Sequence, residues 1–140
     1  MSNKLEKLIK SCESNIKSLL EELGISGFTI SSRIKSEEFT PLGKRHHDYF
    51  GVRVLLTSSS ECCLVHTKLQ DIYKPLKIKD YIANPWKNGY KSLHIDTLTN
   101  RGGEYPLEIQ VRTYQMHEKS EKLIKKYGPY YWRDPQYVKF

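Results

Sequence analysis

Hydrophobic positions near the start of the chain recur at helical spacing. Leu5, Leu8, Ile9, Cys12, Ile16, Leu19, Leu20 and Leu23 form one stripe, and lysines and glutamates fill the opposite face. Gly24 follows the last stripe residue and predicts a C-cap. The helix charges cancel, Lys4, Lys7, Lys10 and Lys17 against Glu6, Glu13, Glu21 and Glu22, so this is a packing helix without a ligand role. From Phe28 to Lys35 the period changes to two. Phe28, Ile30 and Ile34 share one face of a strand that aims Arg33 and Lys35 the other way. A polar connection follows, in which Pro41 and Gly43 argue against a long helix, ending in Lys44-Arg45-His46-His47.

Asp48 to Leu56 reads as a core strand, with Phe50, Val52 and Val54 on one side and Gly51, Arg53 and Leu55 on the other. A glycine inside a strand predicts close approach of another group at Gly51. Ser58 and Glu61 have the spacing of a capping box, opening a helix with the stripe Cys62, Val65, Leu69 and Ile72 that Pro75 closes. His66 lies in this helix and reads as structural. Two further strands, Leu93 to Leu98 and Tyr105 to Arg112, flank the turn signal Asn100-Arg101-Gly102-Gly103 and predict an antiparallel hairpin. On the second, Leu107, Ile109 and Val111 point inward, while Glu108, Gln110 and Arg112 take the other face. Thr113 caps a last helix carrying Met116, Leu123, Ile124 and Tyr127, which Gly128-Pro129 ends. Between the second helix and the hairpin lies Pro85-Trp86-Lys87-Asn88-Gly89-Tyr90-Lys91, a loop built to be held still. Its Asn-Gly pair tolerates positive φ, and its aromatics and lysines offer a ring for a base and cations for phosphates.

Charge sharpens this picture. The 140 residues predict one domain, with a formal net charge of +7 that favours acidic partners such as nucleotides or nucleic acid. Within it, residues 1–25 are the packing helix, 27–128 the core, and 129–140 an aromatic and basic tail that packs or stacks on RNA. The three cysteines, Cys12, Cys62 and Cys63, fit neither a disulfide framework nor a zinc motif and suit a reducing cytoplasmic setting. No signal peptide or membrane-spanning run is present, so no membrane partner is expected. There is no Walker-type glycine loop.

The polar groups on strands and adjoining loops are Arg33, Lys35, Asp48, Arg53, Lys87, Asn88, Tyr90, His94, Glu108 and Gln110. Two carboxylates among many cations, Asp48 and Glu108, suit a Mg²⁺ site for phosphoryl transfer, and one of them suits proton removal from an attacking hydroxyl. The same acids could simply balance neighbouring cations, and the residue pattern leaves both readings open.

The order of motifs decides between them. Arg33-Ile34-Lys35-Ser36, Asp48-x-x-Gly51-Val52-Arg53, Lys79-Asp80-Tyr81-Ile82, Pro85-x-x-Asn88-Gly89-Tyr90-x-Ser92-Leu93-His94 and Glu108-Ile109-Gln110-Val111-Arg112-Thr113-x-x-Met116-His117 together resemble the synthetase domain of the RelA/SpoT alarmone synthetases. The resemblance runs from about Arg33 to Trp132. It implies an α/β (α+β), nucleotidyltransferase-like fold with a mixed sheet of about five strands flanked by helices. It also implies an enzyme that transfers the β,γ-pyrophosphate of ATP to the 3′-hydroxyl of GDP or GTP. By matching positions, Arg33 and Arg53 would sandwich adenine, and Lys35 and Lys44 would meet the ATP phosphates. Asp48 and Glu108 would hold Mg²⁺, and Glu108 would also activate the 3′-hydroxyl. Tyr90 would stack on the acceptor base, while Lys87, Asn88, His94 and Gln110 would contact the acceptor.

This chain departs from the family at Trp86, where a lysine is usual, at Lys91, where a glutamine is common, and in a short 36–47 segment where a helix is expected. At this length it has no room for the hydrolase and regulatory parts of long members, and it resembles the small, synthetase-only ones. Some of those are toxins with cognate antitoxins, and some modify the 3′ end of tRNA. A tRNA acceptor and an antitoxin are therefore candidate partners, and a homo-oligomer is compatible with the family. A degenerate member that binds nucleotide or protein without catalysis is the third reading.

Overall fold

The structure is a computed structural model and describes residues 3–35, 49–99 and 105–128. The elements run α1 (Asn3–Glu22), β1 (Thr29–Lys35), β2 (Tyr49–Leu56), α2 (Ser59–Ile72), β3 (Lys77–Asp80), β4 (Leu93–Leu98), β5 (Pro106–Thr113) and α3 (Tyr114–Tyr127). The strands form one sheet in the order β1-β2-β5-β4-β3. β2 and β5 pair in parallel, and the other three pairings are antiparallel. This is the mixed five-stranded α+β architecture expected from the sequence. The strand that the sequence pattern did not locate is β3, because Lys-Ile-Lys-Asp is short and mostly exposed.

One face of the sheet carries the core. Phe50, Val52 and Val54 of β2, Leu107, Ile109 and Val111 of β5, and Leu93 and Ile95 of β4 are buried there beneath α1 and α2. The stripe Ile9, Cys12, Ile16, Leu19 and Leu20 seats α1, and Cys62, Val65 and Leu69 seat α2. Each wholly buried aliphatic side chain, such as Ile16, Leu20 or Leu69, contributes roughly 1.5–3 kcal/mol by leaving water.

The predicted stops and caps form. Gly24 takes φ +74, and the Ile25 amide donates to the Leu20 carbonyl. The Ser58 hydroxyl accepts from the Glu61 amide at 3.2 Å, and that of Thr113 accepts from the Met116 amide at 3.1 Å. The Glu61 carboxylate departs from a capping box, accepting instead from the Thr57 hydroxyl. Ile72, expected in the buried stripe, is 46% exposed, because α2 turns it away from the sheet at its last residue. His66 is buried, as a structural histidine should be, with Nε2 3.2 Å from the His94 carbonyl. Among the described residues, no helix is long and apolar enough to cross a membrane.

Candidate active site

The second face of the sheet is polar, and its register sets the site. Residues paired across strands share a face, so one row reads Arg33, Gly51, Glu108, Asp96 and Lys77 from β1 to β3. The next row reads Ser31, Arg53, Gln110, His94 and Lys79. α3 lies over part of this face, and between helix and sheet opens a cleft of about 310 Å³. Arg33, Arg53, Glu108, Gln110 and Tyr90 line it, together with Arg112 and, from α3, Glu121. A Cβ added at Gly51 would meet nothing within 4 Å. The close approach read from that glycine is thus open cleft floor between Arg33 and Glu108, and no group among the described residues fills it.

Glu108 is held from both sides. Gln110 accepts from Arg53 Nε at 3.2 Å and donates through Nε2 to Glu108 Oε1 at 3.3 Å. On the other side, Glu108 Oε2 faces His94 Nδ1 at 3.8 Å. Burial, reinforced by Lys79 and Arg112, lowers the His94 pKa to about 3, so this contact is between a carboxylate and a neutral imidazole. Burial and then the neighbouring Arg112 also lower the Arg53 guanidinium. Three arginines face two carboxylates on the cleft wall, so the cleft favours an anionic guest.

The loop before β4 is tied down by its own hydrogen bonds. Asp80 Oδ1 accepts from the amides of Ile82 and Ala83, turning the chain out of β3. The Gly89 amide donates to the Trp86 carbonyl, Asn88 Oδ1 accepts from the Tyr90 amide, and Gly89 adopts φ +94. Tyr90 enters the cleft wall as a buried ring, 3% exposed, packed against Tyr81, Trp86 and His94. It is an enclosed wall and differs from the open platform expected, because Trp86 and Tyr81 close around it. Burial raises its hydroxyl pKa, an effect that Arg112 partly offsets. Asn88 Nδ2 is buried without a hydrogen-bond partner among the described residues. Lys87 is exposed on the turn and does not line the cleft.

Lys44 and Asp48 lie outside the described residues, as do the side chain of Lys35, the Asn100 to Gly103 turn and the tail from Pro129. Among the described residues, no group of three His, Cys, Asp or Glu side chains forms a ready metal site. The donor chemistry nonetheless suits a hard divalent cation, since the Glu108 carboxylate is 29% exposed at the cleft. Arg112 and Glu121 were not singled out from sequence. Arg112 shares the alternating face of Glu108 and Gln110, which was the available signal. Glu121 reaches the cleft only because α3 folds back over the sheet.

Residues 28–131 match the region found in RelA/SpoT proteins. The bifunctional (p)ppGpp synthase/hydrolase SpoT of Escherichia coli is 31% identical over 139 residues, covering 89% of this chain and 19% of that protein. The GTP pyrophosphokinase of Haemophilus influenzae is 36% identical over 88 residues, covering 56% of this chain and 11% of that protein. The chain thus spans less than a fifth of the length of either relative. Among solved structures, small alarmone synthetase 2 from Bacillus subtilis superposes with a TM-score of 0.67 at 27% identity, over 87% of this chain and 77% of that one. Small alarmone synthetase 1 from the same organism, bound to its product pppGpp, shares the fold with a TM-score of 0.63 at 20% identity, over 91% of this chain and 76% of that one. With its arginine-lined cleft, its mixed sheet and a family match across most of its length, this chain belongs to the RelA/SpoT family.

Proposed function

We propose that the cleft transfers the β,γ-pyrophosphate of ATP to the 3′-hydroxyl of GDP or GTP. The observation that carries this reading is Glu108, a carboxylate braced by Gln110 in a cleft lined by Arg33, Arg53 and Arg112. Arg33 and Arg53 project from adjacent strands and would take the adenine of ATP, with Lys35 and Lys44 on its phosphates. Glu108 and Asp48 would hold Mg²⁺, which when bound supplies charge neutralisation at the phosphates. Glu108 accepts the proton of the 3′-hydroxyl, whose oxygen then bonds to the β-phosphorus. The bond from that phosphorus to the α-phosphate oxygen breaks, and AMP leaves with the electron pair. Arginines on the wall stabilise the charge that develops. Asn88 Nδ2, a buried donor without a partner among the described residues, supports an acceptor contact on this loop.

Thin-layer separation of products from labelled ATP, with GDP, GTP and deacylated tRNA offered in parallel, tests this reading. Label in a 3′-pyrophosphorylated guanine nucleotide is expected, with Glu108→Gln slowing its formation by roughly 100-fold or more. An unchanged rate in that variant would sink the assignment. A tRNA acceptor is the second reading, favoured by the exposed Lys119, Lys122, Lys125 and Lys126 along α3. It predicts label on tRNA that disappears on charge reversal at Lys122, Lys125 and Lys126, while transfer to mononucleotides is unaffected.

A further inference from the structure

Arg112 stands on β5 two residues beyond Gln110, and its side chain is 2% exposed. Among the described residues no carboxylate pairs with it. Its Nη1 donates to the Tyr90 hydroxyl at 3.1 Å, and Nη2 lies 2.9 Å from His117 Nδ1. A guanidinium only donates, so the Tyr90 oxygen accepts from it, and His117 accepts on Nδ1. The Tyr90 hydroxyl has one proton, and His94 Nε2 lies 2.9 Å away. Either atom can be the donor in this bond, and the relay takes Tyr90 as the donor and Nε2 as the acceptor. A neutral imidazole then carries its proton on Nδ1, the nitrogen facing Glu108 Oε2 at 3.8 Å. That Nδ1 is buried and has no hydrogen-bond partner among the described residues. At 3.8 Å the pair is longer than a hydrogen bond, and the relay requires Glu108 to rotate toward Nδ1. Gln110 already holds the other carboxylate oxygen.

We propose that the Arg112–Tyr90–His94 chain fixes His94 as its Nδ1–H tautomer and through it orients the Glu108 carboxylate, making these three positioning residues. The proposal rests on the reading of Glu108 as the reacting carboxylate. It gives Tyr90 a task for its hydroxyl, which a role in stacking would leave unused. It also explains why a buried histidine adjoins an acid without forming an ion pair: a neutral Nδ1–H directs the carboxylate while leaving its negative charge intact. His66 packs behind, with Nε2 3.2 Å from the His94 carbonyl, and Lys79 holds the next position of the same row.

Tyr90→Phe separates the roles, because phenylalanine keeps the ring and its packing and removes only the hydroxyl. The imidazole nitrogens of His94, assigned in ¹⁵N-labelled protein with His94→Gln as reference, report the tautomer directly. Wild type is expected to show the proton on Nδ1, and Tyr90→Phe a shift toward Nε2–H. In the pyrophosphate-transfer assay Tyr90→Phe should lose roughly 10–100-fold in kcat, the scale seen when a second group orients a first, with KM unchanged. His94→Gln, whose amide can accept from Tyr90 and donate to Glu108, should retain more rate than His94→Leu. A wild-type proton on Nε2, or a tautomer unmoved by Tyr90→Phe, would overturn the proposal. So would a Tyr90→Phe effect confined to KM, or equal losses in the two His94 variants. A wild-type protein inactive with every acceptor would instead defeat the pyrophosphate-transfer reading, and the nitrogen spectrum would still decide the relay.

Discussion

Replacing Arg112 by methionine sets stability against function. The arginine is wholly enclosed, and its Nε has no hydrogen-bond partner among the described residues. Its two hydrogen bonds, to Tyr90 and His117, are from a charged donor and contribute roughly 1.5–3 kcal/mol each. Opposing them, holding an unpaired cation out of water costs several kcal/mol, and the unmet Nε about 1–3 kcal/mol more. Methionine is unbranched and of similar reach, and its burial returns roughly 1.5–3 kcal/mol. Methionine also leaves the Tyr90 oxygen and His117 Nδ1 without their donor, about 1–3 kcal/mol each, so the two sides nearly cancel and Arg112→Met should change the unfolding free energy by no more than ~2 kcal/mol in either direction. Pyrophosphate transfer should nevertheless fall at least ~10-fold, because the chain that orients Glu108 is cut. Urea denaturation monitored by circular dichroism measures the first quantity, and thin-layer product analysis the second. A loss of more than ~3 kcal/mol would refute the reasoning, showing that the arginine is kept chiefly to hold the fold together.

Two other outcomes follow from single features. Folded His94 stays unprotonated down to about pH 3, whereas an unfolded histidine takes a proton near 6.5. The unfolded chain therefore binds more protons between these values, and stability should fall as pH drops through that window, by at most ~1.4 kcal/mol per unit from this group. Urea midpoints at about pH 7 and pH 4.5 measure the slope, and a His94→Gln slope equal to wild type would rule the assignment out. Gly89→Ala forces a side chain onto φ +94 and sets its Cβ 3.0 Å from Lys119 Cε, which should cost ~1–2 kcal/mol. Because Lys119 can move aside and the backbone cannot, adding Lys119→Ala should not restore the thermal midpoint; full recovery would show that the clash, not the strain, was at fault.

Local periodicity made most elements legible. The α1 stripe, the alternation in β1, β2 and β5, and the caps at Ser58 and Thr113 depend on neighbours within a few residues, and each appears in the structure. Alternation also assigned Arg33, Arg53, Glu108 and Gln110 to the polar faces of their strands, since successive strand side chains point to opposite sides. Pairing depends on partners distant in sequence and could not be read this way. Parallel pairing of β2 with β5 sets Gly51 between Arg33 and Glu108, and so opens the cleft floor. The short edge strand β3 exists because β4 offers it a partner, not because Lys77–Asp80 favours a strand on its own. Burial was likewise decided by the whole molecule. In sequence Arg112 is another exposed-looking cation and Tyr90 an available ring. Only when α3 and the Tyr81–Trp86 loop close over the sheet is the guanidinium shut away with the phenol. The sequence alone determined which groups share the polar faces of their strands. The tertiary structure decided which of them water no longer reaches, and it is the loss of water that leaves one hydrogen-bond chain to direct Glu108.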